Sequence, residues 1–313
     1  MWAEWLEGLR QFLQPLPGWG FIASAPYTFR PFVLLIILAC ASGVVGVLVN
    51  VRCAEFNAEA LVHGVFPGIV VGALYGGIDM IAPGAALCAC AVIAALVWAG
   101  QRSHISEGST ATILTTFFAL GVVISLKKGD MSGQLEALMF GRLLDVTDAR
   151  LAQSVLFCLL AIVIVALTWR GQVITAFDRD TAPVLGVNTL LVDIVLNTAI
   201  AAVVVSAASA IGVLLVIGYL VIPGASARLV ARAVGWMIPV GIAVGVGGAV
   251  LGMHVMNLPV SRPISPQAAV SLSVCAMFGL VLAVRTLYRM CVRALDTGHA
   301  TQPVAHPIQG VRP

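Results

Sequence analysis

Charge is what this sequence lacks: Asp, Glu, Lys and Arg make up 10% of its 313 residues, against about a quarter in an ordinary soluble domain. The formal net charge of +3 is small, and the basic residues lie between apolar runs rather than in one patch, so there is no nucleic-acid footprint. No Gly-rich phosphate cradle with its Lys and Ser/Thr is present, which excludes ATP hydrolysis by this chain alone. No nucleophile–base arrangement emerges, so the chain does not read as an enzyme. Nor does it open like a signal peptide: Glu4 and Glu7 stand where a basic segment would, and the first long apolar run starts after Pro31.

What is present is apolar. Hydrophobic residues reach 60% and the mean hydropathy is +1.03, more than a soluble core can hide, so the solvent must be lipid. Lipid demands internally satisfied backbone, and long continuous apolar runs select helices over a barrel. The 31 glycines suit close helix packing. Candidate spans run over 32–50, 60–76, 80–99, 109–126 and 151–169. Residues Ile194 to Ala227 then carry no charge at all, too long for one crossing of about 20 residues. This stretch predicts two spans, with the small residues Ser206–Ala210 at the turn. Spans near 234–256 and 267–288 follow, giving an all-α polytopic membrane protein of about nine (eight to nine) helices.

Three regions result. Residues 1–30 carry Trp2, Trp5, Leu6, Leu9, Phe12 and Leu13 at helical spacing, an amphipathic segment lying at the membrane surface. Residues 31–293 form the transmembrane domain. Residues 294–313, rich in Pro, Gly and polar residues, read as a disordered tail. With nine spans one side collects Arg52, Arg102, Arg170, Arg179, Arg228 and Arg232 with Arg285, Arg289 and Arg293. The other collects Arg10, Arg30, Lys127, Lys128, Arg142, Arg150 and Arg262. The positive-inside rule then puts the C-terminus in the cytoplasm.

Ionisable residues within a membrane are expensive and point to function. Glu59 and His63 are four apart, one turn along one helix face. A carboxylate with an imidazole suits Mn, Fe or Zn and is a poor first shell for an anion. Two ligands do not close a site; a second copy, water or Asn57 would complete a transient one. The competing reading makes Glu59 a cap at the start of the helix and His63 a hydrogen-bonded core residue. Gly64, Pro67 and Gly68 follow and break helix regularity. Met253-His254-Val255-Met256 sits at the outer end of a span, where His254 either guides a soft metal inward or lies in the interface. The seven cysteines read as small reduced hydrophobes, mostly within spans.

Several segments resemble permease subunits of ATP-binding-cassette importers for manganese, zinc and iron, the ABC-3 type. Glu59-Ala-Leu-Val-His63-Gly-Val-Phe-Pro67-Gly68 is similar to a family stretch written Gly-Asp-Ala-Leu-Ala-His-Ala-Val-Leu-Pro-Gly. Others are Ser106-Glu107 with Phe118-Ala-Leu-Gly121, Leu138-Met-Phe140-Gly141, Phe177-Asp178 through Leu185-Gly186-Val187, and Ala210-Ile-Gly212 through Ile222-Pro223 to Arg228. Together they cover most of residues 45–285 in family order.

The resemblance implies a fold related to the vitamin B12 and siderophore importer permeases. It implies a subunit that moves a divalent metal ion (Mn2+, Zn2+ or Fe2+) into a bacterial cytoplasm across the inner membrane, with no permanently bound cofactor. Its partners would be cytoplasmic ABC ATPase subunits, an extracellular metal-binding lipoprotein or periplasmic binding protein, and a second copy or homologous permease. The family's metal-contacting pair matches Glu59 and His63, and its ATPase-coupling region matches Phe177, Asp178, Asp180, Leu185 and Gly186. Charge reversal at Asp178 or Asp180 should therefore uncouple transport. Glu59 departs from the usual Asp by one methylene, which would alter site geometry. Rival readings are a siderophore or cobalamin permease of the same fold, an ion-coupled secondary transporter, and a membrane scaffold.

Overall fold

The structure is a computed structural model that describes residues 2–15, 20–102, 107–127, 141, 143–258 and 264–299. Among these residues all regular structure is helical. A short helix α1 (Trp2–Leu13) precedes the bundle, which runs α2 (Pro26–Val51), α3 (Glu55–Gly64), α4 (Phe66–Gly76), α5 (Ile81–Arg102), α6 (Glu107–Lys127) and α7 (Asp148–Phe177). It continues with α8 (Thr189–Ile211), α9 (Val213–Val230), α10 (Val234–Met256) and α11 (Pro266–His299). With α3 and α4 counted as one span, eight helices among the described residues are long and apolar enough to cross a membrane, and α9 is a shorter apolar ninth. The expected count holds.

Each boundary has a local cause. Helix α2 starts at Pro26, six residues before the apolar run, because a proline at the first position has its φ preset and needs no donor. Thr28 closes this start by donating to the Ile22 and Ala25 carbonyls. Helix α7 is capped by Thr147, which accepts from the Arg150 amide, and α8 by Asn188, which accepts from the Leu191 amide. At 30 residues, α7 is about 45 Å long against a hydrocarbon core of about 30 Å. The helix is therefore longer than the apolar layer is thick, and longer than the span that the hydropathy of 151–169 alone gave. Helix α11 runs on to His299, past residue 294 where a tail was expected; residues 300–313 lie outside the described residues.

The turn expected at Ser206–Ala210 lies instead at Gly212. Small residues need not break a helix, and Ser206 is used for packing: its carbonyl accepts from the Ser154 hydroxyl at 2.7 Å and its hydroxyl meets the Cys158 thiol at 3.3 Å. The break needs a positive φ, and Gly212 supplies it at +81°.

Helix α2 is the central post and packs against α7, α8, α9 and α10. It meets α9 with backbone nearly touching: a Cβ on Gly46 would stand 2.1 Å from the Leu220 carbonyl oxygen, and one on Gly224 2.3 Å from the Gly46 oxygen. Asn50 ties the same pair by donating to the Val221 carbonyl. Helix α1 buries Leu6 and leaves Trp5 and Phe12 exposed, while Arg10 pairs with Glu7 and donates to the Ala23 carbonyl. Large apolar side chains on α6, α7 and α11, among them Leu126, Leu167 and Leu272, are exposed, as a lipid-facing surface requires. The cysteines are less uniform than the sequence suggested: Cys158 is buried, whereas Cys53, Cys90, Cys275 and Cys291 are exposed. Lipid accepts a thiol as readily as a core does.

Candidate functional site

Helix α3 begins at Glu55, so Glu59 stands in its second turn and cannot cap it. Ala58, Ala60, Leu61 and Val62 are buried, while Glu59 and His63 share the half-open face. The His63 ring stands edge-on to Phe118 with centroids 5.5 Å apart, and Phe118 leans on Phe66 at 5.4 Å. Its Nδ1 is shielded from solvent and has no hydrogen-bond partner among the described residues. A core histidine kept for structure would be satisfied, since an orphaned buried nitrogen costs stability. Glu59 is thus not at the start of its helix, and the His63 Nδ1 is not satisfied by the described residues.

The backbone beside the pair is also opened. Val65 separates α3 from α4, because Pro67 has no amide to give the His63 carbonyl four residues earlier. The Cys88 thiol bonds the neighbouring Gly64 carbonyl at 3.2 Å. Asn57 is engaged elsewhere: its Oδ1 accepts from the Thr110 hydroxyl at 3.3 Å, joining α3 to α6. No group of three or more His, Cys, Asp or Glu side chains that could hold a metal occurs among the described residues. Glu59 and His63 thus place one carboxylate and one imidazole on the half-open face of α3.

His254 is not part of this site. Successive spans alternate in direction, which puts the last turn of α10 at the opposite end from the start of α3. There His254 is exposed with Nδ1 2.8 Å from the Val250 carbonyl, while Met253 is fully buried. The two side chains leave different faces of the helix and do not converge.

The end of the bundle where α3 begins carries a protruding knob. Phe177 is 77% exposed and Val184 85%, with Leu185 exposed beside them. The connection is built locally. Asp178 Oδ1 accepts from the amides of Asp180 and Thr181, Ala182–Leu185 makes a single 3-10 turn, and Gly186 ends it at φ +77°. The Thr181 side chain and backbone hold the Asp178 carboxyl below its ordinary range. Asp180 is exposed. Phe177, Asp178, Asp180, Leu185 and Gly186 thus all lie exposed in one short connection.

One feature escaped the sequence reading. A cavity of about 530 Å³ opens at this same end, lined by Arg52, Asn57, Glu107, Arg179, Asp193 and Asn197 among others. Its lining includes an ion-pair cluster centred on Asp193, which was not singled out, although it is the last charge before the long uncharged stretch. Burial pulls the Arg52 guanidinium below its ordinary value while Asp193 opposes this.

Helices long and apolar enough to cross a membrane, packed in one bundle among the described residues, define a polytopic membrane protein. The chain belongs to the ABC 3 transport family, whose model matches residues 24–285. A manganese transport system membrane protein of Listeria innocua, MntC, is 27% identical over 245 residues, covering 78% of this chain and 84% of its own. A chelated iron transport system membrane protein of Yersinia pestis, YfeC, is 29% identical over 197 residues, covering 63% and 66%. The fold is that of PsaBC from Streptococcus pneumoniae, solved in complex with Fab, with a TM-score of 0.72 at 21% identity over 83% of this chain and 92% of that one.

Proposed function

We propose that this chain is the permease of an ATP-driven importer that carries Mn2+, Fe2+ or Zn2+ into the bacterial cytoplasm, and that Glu59 and His63 contact the metal in transit. The observation that carries the reading is the half-open face of α3, where a carboxylate and an imidazole with an unpartnered Nδ1 stand one turn apart. The names of the relatives, manganese and chelated iron systems, support the cargo class.

The chemistry follows from the donor set. A neutral imidazole and a carboxylate displace part of the hydration shell of a borderline divalent ion, and an incomplete set lets it leave. Water, a second copy of the chain or a homologous permease supplies the remaining ligands. The knob from Phe177 to Val187 receives the cytoplasmic ATPase, which places the C-terminus in the cytoplasm, and a binding protein delivers metal at the opposite end. Affinity alone favours zinc over manganese at such ligands, so metal choice falls to geometry and delivery.

Elemental mass spectrometry of cells tests this. In a strain lacking the gene, wild-type protein restores cellular Mn, Fe or Zn under limitation, while Glu59→Ala/His63→Ala protein at equal abundance does not. Restoration by the double variant removes the site assignment, and unchanged metals with wild type remove metal import.

A further inference from the structure

The Asp193 carboxylate is shared between two arginines that belong to different functional parts of the chain. Its Oδ1 accepts from Arg52 Nη2 at 2.5 Å and from Arg179 Nη1 at 3.1 Å, and its Oδ2 accepts from Arg179 Nη2 at 2.5 Å. Arg52 lies in the turn that leads into α3, three residues before Glu55. Arg179 lies in the exposed connection after α7. The three side chains grade from inside to outside: Arg52 is 6% exposed, Asp193 19% and Arg179 44%.

The turn holding Arg52 is stiff. The Arg52 amide bonds the Leu48 carbonyl, the Ala54 amide bonds the Val49 carbonyl, and Cys53 between them has φ +51°, the one non-glycine residue with positive φ among those described. This is a helix-ending motif that usually employs glycine, so there is little slack between the guanidinium and the first turn of α3. Behind Arg52 stands Gln172 of α7, fully buried, which accepts from Arg52 Nη1 at 2.8 Å and donates to the Val192 carbonyl at 3.0 Å. Arg52 and Asp193 are thus the buried end of the cluster, and Arg179 is its exposed arm.

We propose that Asp193 is a positioning residue that links the Phe177–Val187 knob to α3: Arg179 reports where the knob sits, and Arg52 passes this to the helix carrying Glu59 and His63. When a partner displaces the knob, Arg179 leaves the shared carboxylate, and Asp193 turns wholly to Arg52 and draws the turn with it. The assignment rests on the import reading only for the identity of the partner and the cargo. Both Asp193 oxygens are already taken by guanidiniums, so the cluster acts by linkage and not as a second metal site.

Hydrogen–deuterium exchange on the full chain in nanodiscs, with and without the ATPase subunit, tests the linkage directly. In wild type, docking of the ATPase alters protection at 177–187 and also at 52–58. In Asp193→Asn the response at 177–187 persists and that at 52–58 is lost, while Asp193→Glu restores it. Should Asp193→Asn not fold, Arg179→Gln leaves the buried pair intact and loses the same distant response. In vesicles holding the complete transporter, Mn2+ moved per ATP hydrolysed falls on the order of tenfold in these variants, with assembly and ATP hydrolysis retained. A response at 52–58 that is unchanged in Asp193→Asn and Arg179→Gln, or absent in wild type when 177–187 becomes protected, overturns the linkage and leaves the import reading standing. An intact response in wild type that moves no Mn2+, Fe2+ or Zn2+ overturns the import reading and leaves the linkage standing.

Discussion

His63 can be removed without breaking a hydrogen bond from its Nδ1, since that atom makes none among the described residues. His63→Ala is therefore expected to leave thermal stability in detergent close to wild type while cutting metal uptake at least roughly tenfold, as loss of a supporting ligand already does. Unfolding together with inactivity would mark the ring as structural. The pair was legible because four-residue spacing needs only a helix to become a shared face. Asp193 was not, because Arg52 lies 141 residues away in sequence and no periodicity relates them. Asp178 and Asp180 looked equivalent as charges, yet Asp178 holds two backbone amides of its turn. Asp180→Lys therefore tests ATPase coupling cleanly: normal folding and ATPase-independent properties, with uptake lost. Asp178→Lys also disorders the knob, which local proteolysis between 177 and 187 would reveal.

At the scale of elements, hydropathy locates apolar length and says little about where a helix ends. It placed α7 correctly and undercounted it, because the extension past Trp169 is polar enough to leave the apolar window yet continues the same helix to Phe177. It divided the uncharged stretch correctly into two helices and misplaced the turn, since Ser206–Ala210 and Gly212 are all small and only the backbone geometry separates them. The α2–α9 contact gives a sharp test. A side chain at Gly46 must displace backbone, as the Leu220 oxygen stands 2.1 Å from its Cβ position. Gly46→Val should cost about 3 kcal/mol or more, at the upper end of overpacking, and appear as a fall in the detergent melting temperature. Gly235→Ala, where no atom lies within 4 Å, should melt like wild type.

At the scale of the whole molecule, alternation of the nine apolar segments among the described residues puts the α2–α3 turn, the knob and the end of α11 on one side. Composition alone made the chain a helical membrane bundle, and the order of motifs along it made the family legible. The half-open face of α3 was not, because its openness depends on how α5, α6 and α8 pack around it. Cys53 and Cys291 are both exposed near that side, so a membrane-impermeant thiol reagent should spare them in intact cells and label them in inverted vesicles; labelling of either in intact cells reverses the orientation. The most direct measurement is ATP-driven accumulation of Mn2+ by vesicles containing the assembled transporter, comparing wild type with Glu59→Ala/His63→Ala at equal, folded abundance. Accumulation by wild type and none by the double variant is the expected result, and accumulation by the double variant at the wild-type rate would contradict a metal path through α3.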